Sequence, residues 1–146
     1  MPHSPSSLDR FVEAQKSDFD TALAEVRSGR KRSHWIWYIF PQLRGIGHSA
    51  FAEFYGIADA AEAKAFLAHP LLGERLRTIT RALMEVEAGG AEQIFGELDA
   101  MKVRSSMTLF DAVCPNDLFA KVIDKYYGGA RCRITREMLD REASCR

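Results

Sequence analysis

The sequence predicts an all-α fold, a compact multihelical single domain of about seven helices. Three observations carry that expectation. Apolar residues recur at three- and four-residue steps through most of the chain. Capping residues or proline open these segments, and glycine or proline closes them. No convincing strand and no internal repeat is evident. A length of 146 residues suits one domain, and 47 % hydrophobic with 27 % charged residues is an ordinary globular balance. Net charge is zero, so no global field draws the protein to nucleic acid or to a membrane. The basic clusters are local, Arg27 to Arg32 and Arg131 to Arg136. The three cysteines, Cys114, Cys132 and Cys145, match no zinc spacing and suit a reducing cytoplasm better than a disulfide framework. The polar start, Met1 to Ser7, lacks the pattern of a signal peptide. The longest apolar run, Trp35 to Phe40, is far too short to span a bilayer.

Residues 1–6 are expected to form a disordered lead and 7–143 the domain. Ser6 followed by Asp9 resembles a capping box and opens a helix near Ser7. Leu8, Phe11, Val12, Gln15, Phe19, Leu23 and Val26 form its apolar stripe, and Gly29 ends it. Gln15 on that stripe is either a buried amide satisfied by backbone groups or a ligand contact. Next comes Arg30 to Ser49, which holds both tryptophans. Its apolar run has strand-like composition. It reads as a short buried helix, capped by Ser33 and stopped before Pro41, because no partner strand exists. Gly45 and Gly47 imply a tight loop, and Ser49 caps a short helix through Tyr55. Asp59 and Glu62 form a second capping box before Ala60 to Ala68. His69 reads as a helix-start residue, and Pro70 suits the first position of a helix carrying Leu72, Leu76, Ile79, Leu83 and Val86. A short turn around Gln93 to Phe95 follows Gly89-Gly90.

Glu97 to Val113 carries two apolar sets, Leu98, Met101, Ser105, Leu109 and Ala112 against Val103, Met107 and Phe110. A helix apolar on two sides is central. Pro115 ends it and Asn116 caps the next helix, which Gly128-Gly129 stops. Ile134, Thr135 and Leu139 have the positions of a hydrophobic staple around a last helix.

Two constellations could carry chemistry. Arg30 to Ser49 combines cations, aromatic faces and glycine-rich backbone, which suits a nucleotide or another phosphorylated ligand. The bland account makes Trp35, Trp37 and Phe40 core and Arg30 to Arg32 a solvated turn. Alternate residues face differently, so Trp35 and Trp37 cannot both be core and both be stacking platforms. His34 and His48 flank the stretch as candidate acid–base groups, each lacking a visible partner. Asp99, Lys102, Ser105 and Ser106 form the second constellation. A surface ion pair explains Asp99 and Lys102; the sharper account lowers Lys102 onto a phosphate, with serine hydroxyls beside it. A Ser–Lys nucleophile pair has no nameable oxyanion hole. Cys132, between two arginines, would have its thiolate favoured. No histidine or cysteine spacing points to a metal, and no cofactor is expected. The expected pocket lies between the first helix, the Arg30–Ser49 stretch and the Glu97–Val113 helix. Asp9, Gln15, His34, Trp35, Gln42, Lys102 and Ser106 line it, with Arg44 and His48 at its polar edge. The expected ligand is a phosphorylated small molecule, with no membrane and no sequence-specific nucleic acid as partner.

Several motifs carry a resemblance. They are Leu8-Asp9-Arg10-Phe11-Val12, Ser33-His34-Trp35-x-Trp37-Tyr38-Ile39-Phe40-Pro41-Gln42-Leu43-x-Gly45-x-Gly47, His69-Pro70-Leu71-Leu72-Gly73, Phe95-Gly96-x-x-Asp99-x-x-Lys102 and Ser105-Ser106-Met107-Thr108-Leu109-Phe110. The chain resembles the domain-of-unknown-function 1810 family over nearly its whole length. The resemblance implies an all-α single domain in a bacterial intracellular protein, and no established activity. The label calpastatin, sometimes given to bacterial members, does not suit a chain with globular periodicity, because that inhibitor is a disordered repeat protein. Similar sequences carry an aspartate where Cys132 stands. Asp9 to Lys16 also resembles, more loosely, a helix of small all-α N-glycosidases linked to ADP-ribose chemistry. That likeness implies Asp9 as the acid at the glycosidic bond, with Met101-Lys102 matching a second helix. The glutamate of that helix and the Gly-Asn-x-Leu-Gly ending are absent here.

Overall fold

The three- and four-residue apolar spacing folds as helix throughout. The computed structural model describes residues 7–87 and 89–144. Nine helices lie among the described residues: α1 (Asp9–Arg27), α2 (Ile36–Ile39), α3 (Ala50–Tyr55), α4 (Ala60–Ala68), α5 (Leu72–Glu85), α6 (Ala91–Phe95), α7 (Glu97–Val113), α8 (Leu118–Tyr127) and α9 (Arg133–Ser144). The expectation was about seven. The turn at Gln93 closes into α6, which is too short to show a period of its own, as α2 and α3 also are, although a proline stop marks α2 and a serine cap marks α3. Helices of that length persist through packing rather than propensity. The described residues hold no strand beyond one parallel bridge, Leu43 to Ile57.

Helix α7 packs against α2, α4, α6, α8 and α9, as its two-sided apolar pattern requires. Val103, Met107, Leu109 and Phe110 are fully buried. Helix α1 packs on α5 and α2, and α5 on α4 and α8. The aromatic run is the wedge between these groups. Trp35, Ile36, Ile39 and Phe40 are buried, and Trp35 and Phe40 both meet Phe95 of α6 edge-on.

The local signals at the helix ends hold in part. Ser49 accepts from the Ala52 amide and Asp59 from the Glu62 amide, so both cap as expected. His69 Nδ1 accepts from the amides of Leu71 and Leu72 at 3.1 and 3.2 Å and so opens α5. Ser6 lies outside the described residues, and Ser7 Oγ accepts from the Asp9 amide. Asn116 does not cap α8. It takes a left-handed φ of 60°, and Asp117 accepts from the Leu118 amide instead. Ile134 is exposed, whereas Thr135 is buried against Ser105 at 2.8 Å. Gly73 has a steric cause. A Cβ there would stand 2.0 Å from the Leu67 carbonyl oxygen, where α4 and α5 meet.

Ser33 does not cap α2. Its amide and hydroxyl both go to the carboxylate of Glu25, near the end of α1. That carboxylate also accepts from the Arg32 amide at 2.8 Å and the Trp35 indole at 2.9 Å. Burial pushes the Glu25 carboxyl up, but the Ser33 hydroxyl, the Arg32 amide, the Trp35 indole and the Ser33 amide together hold it down at about 2, against an ordinary 4.5.

Two outcomes are expected. Because the folded Glu25 titrates below its unfolded value, its contribution is complete above about pH 4.5 and is lost as pH falls towards 2. Glu25→Gln should cost about 2 kcal/mol at pH 7 in urea unfolding and should flatten the loss of stability below pH 4.5. Equal acid sensitivity of variant and parent would rule out this role. Gly73→Ala should lower stability by about 2 kcal/mol or more through the carbonyl clash, which thermal denaturation would read.

Candidate functional site

The N-terminal half of α7 is not covered on its outer side. Helix α9 begins level with its middle, where Ser105 meets Thr135 and the Cys132 amide donates to Thr108 Oγ1 at 2.9 Å. The turns before that point stay open. Leu98 is 73 % exposed, Met101 58 % and, across from them on α9, Ile134 54 %. Between them lies a groove of about 560 Å³. The loop 42–47 forms its other wall through Gln42, Ile46 and Gly47. Gly47 keeps that wall thin, since a Cβ would come within 2.8 Å of Ala52 Cβ and 3.2 Å of Gln42 Nε2.

The charges in the groove are of one sign. Lys102, Arg104 and Arg133 line it, and no aspartate or glutamate does. Arg133 pairs with Glu137 at 2.9 Å, an exposed pair of small worth. Arg104 has no ion pair among the described residues. Its guanidinium lies 6.0 Å from the Tyr127 ring, and its Nε is buried without a hydrogen-bond partner. Lys102 Nζ stands 3.4 Å from Asp99 and 5.4 Å from the Trp37 ring. At Gln42 and Lys102 the groove adjoins a pit of about 10 Å³ bordered by Trp37 and Tyr55, with room for a single water.

Of the residues singled out in the sequence, Gln42, Lys102, Ser105 and Cys132 meet in this place. The others are elsewhere. Trp35 is fully buried, its indole bonded to Glu25, so it is core and not a stacking platform. The alternation holds, but Trp37 is the tryptophan at the edge. Gln15 is the satisfied amide, donating to the Tyr38 carbonyl at 2.8 Å and accepting from Arg75 at 3.4 Å. Arg44 is committed to the carbonyls of Glu53 and Gly56, both at 2.9 Å. His34 and His48 are exposed, and neither lines the groove. Asp9 is exposed at the start of α1 and does not line the groove either. Ser106 is fully buried with an unpaired hydroxyl, one turn beyond Lys102, and is not part of the groove wall. The first helix contributes nothing to the groove; α9 takes the place expected for it.

Arg104, Arg133 and the open apolar pair Leu98 and Met101 are groove residues that the sequence does not single out. The basic cluster around Cys132 was a visible signal. Leu98 and Met101 sit on an apolar stripe, which reads as core when the reach of α9 is unknown. The other basic cluster, Arg27, Arg30 and Arg32, shares an open cleft with Glu85 and Glu87, so the charge there is mixed. Among the described residues no group of three or more His, Cys, Asp or Glu could hold a metal ion, and no helix is long and apolar enough to cross a membrane.

Comparisons with known proteins agree with the fold. The conserved hypothetical protein Rv1873 from Mycobacterium tuberculosis has a crystal structure that superposes with a TM-score of 0.91 at 45 % identity, covering 94 % of this chain and 99 % of that one. No curated protein matches. The family described as a protein of unknown function, DUF1810, matches residues 5–139. With that match spanning nearly the entire helical array, the chain belongs to the DUF1810 family.

Proposed function

We propose that the chain binds a small phosphorylated, nucleotide-like molecule in the groove between α7, the 42–47 loop and the start of α9. The observation that carries this reading is the groove wall, which has three cations and no carboxylate beside an open apolar face. A volume of about 560 Å³ is in the range of small-molecule sites. Leu98, Met101 and Ile134 offer apolar surface to a ring, and the cations offer counter-charge to a phosphate. The planar fork of Arg104 suits phosphate oxygens. Helix α9 opens on the groove through Cys132, Arg133 and Ile134, so the positive end of its dipole favours an anion there.

A glycosidase reading has no comparable support, since Asp9 stands at the surface and away from the groove wall. A non-enzymatic interaction module draws support from the same open apolar side chains.

A thermal-shift series with AMP, ADP-ribose and adenosine tests the proposal. A ligand at a hundred times its Kd adds about 2.7 kcal/mol to stability, so the phosphorylated probes should raise Tm and adenosine should do so less. Arg104→Met should abolish most of that rise. It should leave the Tm of the unliganded protein unchanged or slightly higher, because it removes a buried unpaired donor. No shift with either phosphorylated probe, together with concentration-dependent self-association or partner binding in sedimentation, would favour the interaction module instead.

A further inference from the structure

Asp99 serves two lysines unequally. Its carboxylate lies 2.8 Å from Lys31 Nζ and 3.4 Å from Lys102 Nζ. The Lys31 side chain is only 7 % exposed and has a second hold over the Trp35 ring at 5.0 Å. Lys102 is 30 % exposed, and its second hold, the Trp37 ring, is at 5.4 Å. Two ammonium groups thus share one carboxylate, and both distance and burial assign that carboxylate to Lys31. The surplus positive charge falls on Lys102, where the groove and the pit adjoin. A partly solvated pair at 3.4 Å holds Lys102 weakly, whereas a phosphate oxygen would form a shorter, charge-assisted bond.

We infer that Lys102 is the residue that closes on the anionic group of the ligand, exchanging Asp99 for it while Lys31 keeps Asp99 neutralised. This rests on the proposed reading of the groove and adds which cation changes partner, and that Asp99 competes with the ligand instead of assisting it. The expected ligand therefore carries a localised anion, a phosphate monoester or diphosphate, rather than a dispersed or neutral polar group.

The test is isothermal titration of the full chain with AMP and ADP-ribose at two salt concentrations, using the parent, Lys102→Met and the double variant Lys31→Met/Asp99→Asn. The double variant removes both members of the buried pair together, so no charge is stranded and the local net charge is unchanged. Lys102→Met should lose about tenfold in affinity and show a flatter salt dependence. The double variant should bind about threefold or more tighter, because Lys102 then has no competitor. Should the double variant not fold by circular dichroism, the affinity and salt dependence of Lys102→Met decide alone. If the parent binds the probes and Lys102→Met binds them equally well, the inference fails and the groove reading stands. A folded double variant with weaker binding would also overturn it, since Asp99 would then be positioning Lys102. If the parent binds neither probe, both fall.

Discussion

The carboxylate of Glu25 is the point on which the aromatic wedge depends. It sits near the end of α1 and gathers the Arg32 amide, both donors of Ser33 and the Trp35 indole. Four donors on one buried anion fix the path of the chain as it leaves α1, and they set the Trp35 ring in the core. Once Trp35 faces inward, Trp37 must face elsewhere, and it reaches the pit beside Lys102. A buried carboxylate thus decides which tryptophan is structural and which borders the candidate site. Burial would favour the neutral acid; the donors reverse that preference, which is why the link is sensitive to acid.

Arg10 is a second buried charge with the same logic at the other end of α1. Its side chain is fully enclosed, yet it donates to the carbonyls of Ser7, Phe54 and Gly56 and pairs with Glu62 at 3.0 Å. It ties the start of α1 to the end of α3 and to the first turn of α4. Every polar arm is used, which is the condition under which a guanidinium can be buried. Arg104 presents the contrast, with a buried Nε that nothing meets.

Much of this was legible in the residues. The helices of α1, α4, α5, α7 and α8 follow from their apolar periods, and the caps at Ser49, Asp59 and His69 from local chemistry. The central place of α7 follows from its two-sided apolar pattern. The candidate site is legible at Gln42, Lys102, Ser105 and Cys132. Gln15 looks like a ligand contact because it is an amide on an apolar stripe, and Arg44 because it is a cation at the polar edge of the Arg30–Ser49 stretch. Both instead satisfy carbonyls at the ends of short helices, Gln15 that of Tyr38 in α2 and Arg44 those of Glu53 and Gly56 at the end of α3. Leu98 and Met101 read as part of an apolar set and Arg104 carries no signal of its own, because their exposure depends on where α9 begins, far along the chain.

The sequence by itself determined the family, the all-α class and the helices long enough to carry a period, because these rest on spacing and on interactions within a few residues. The tertiary structure alone decided which charges go inside and which apolar side chains stay out. Burial of Arg10 needs acceptors from the distant end of α3, burial of Glu25 needs the chain after α1 to fold back over its carboxylate, and the groove exists because α9 meets α7 at Ser105 and Thr108 and leaves the turns before them uncovered. Such contacts reach beyond a single helical turn, and no apolar period or cap encodes them.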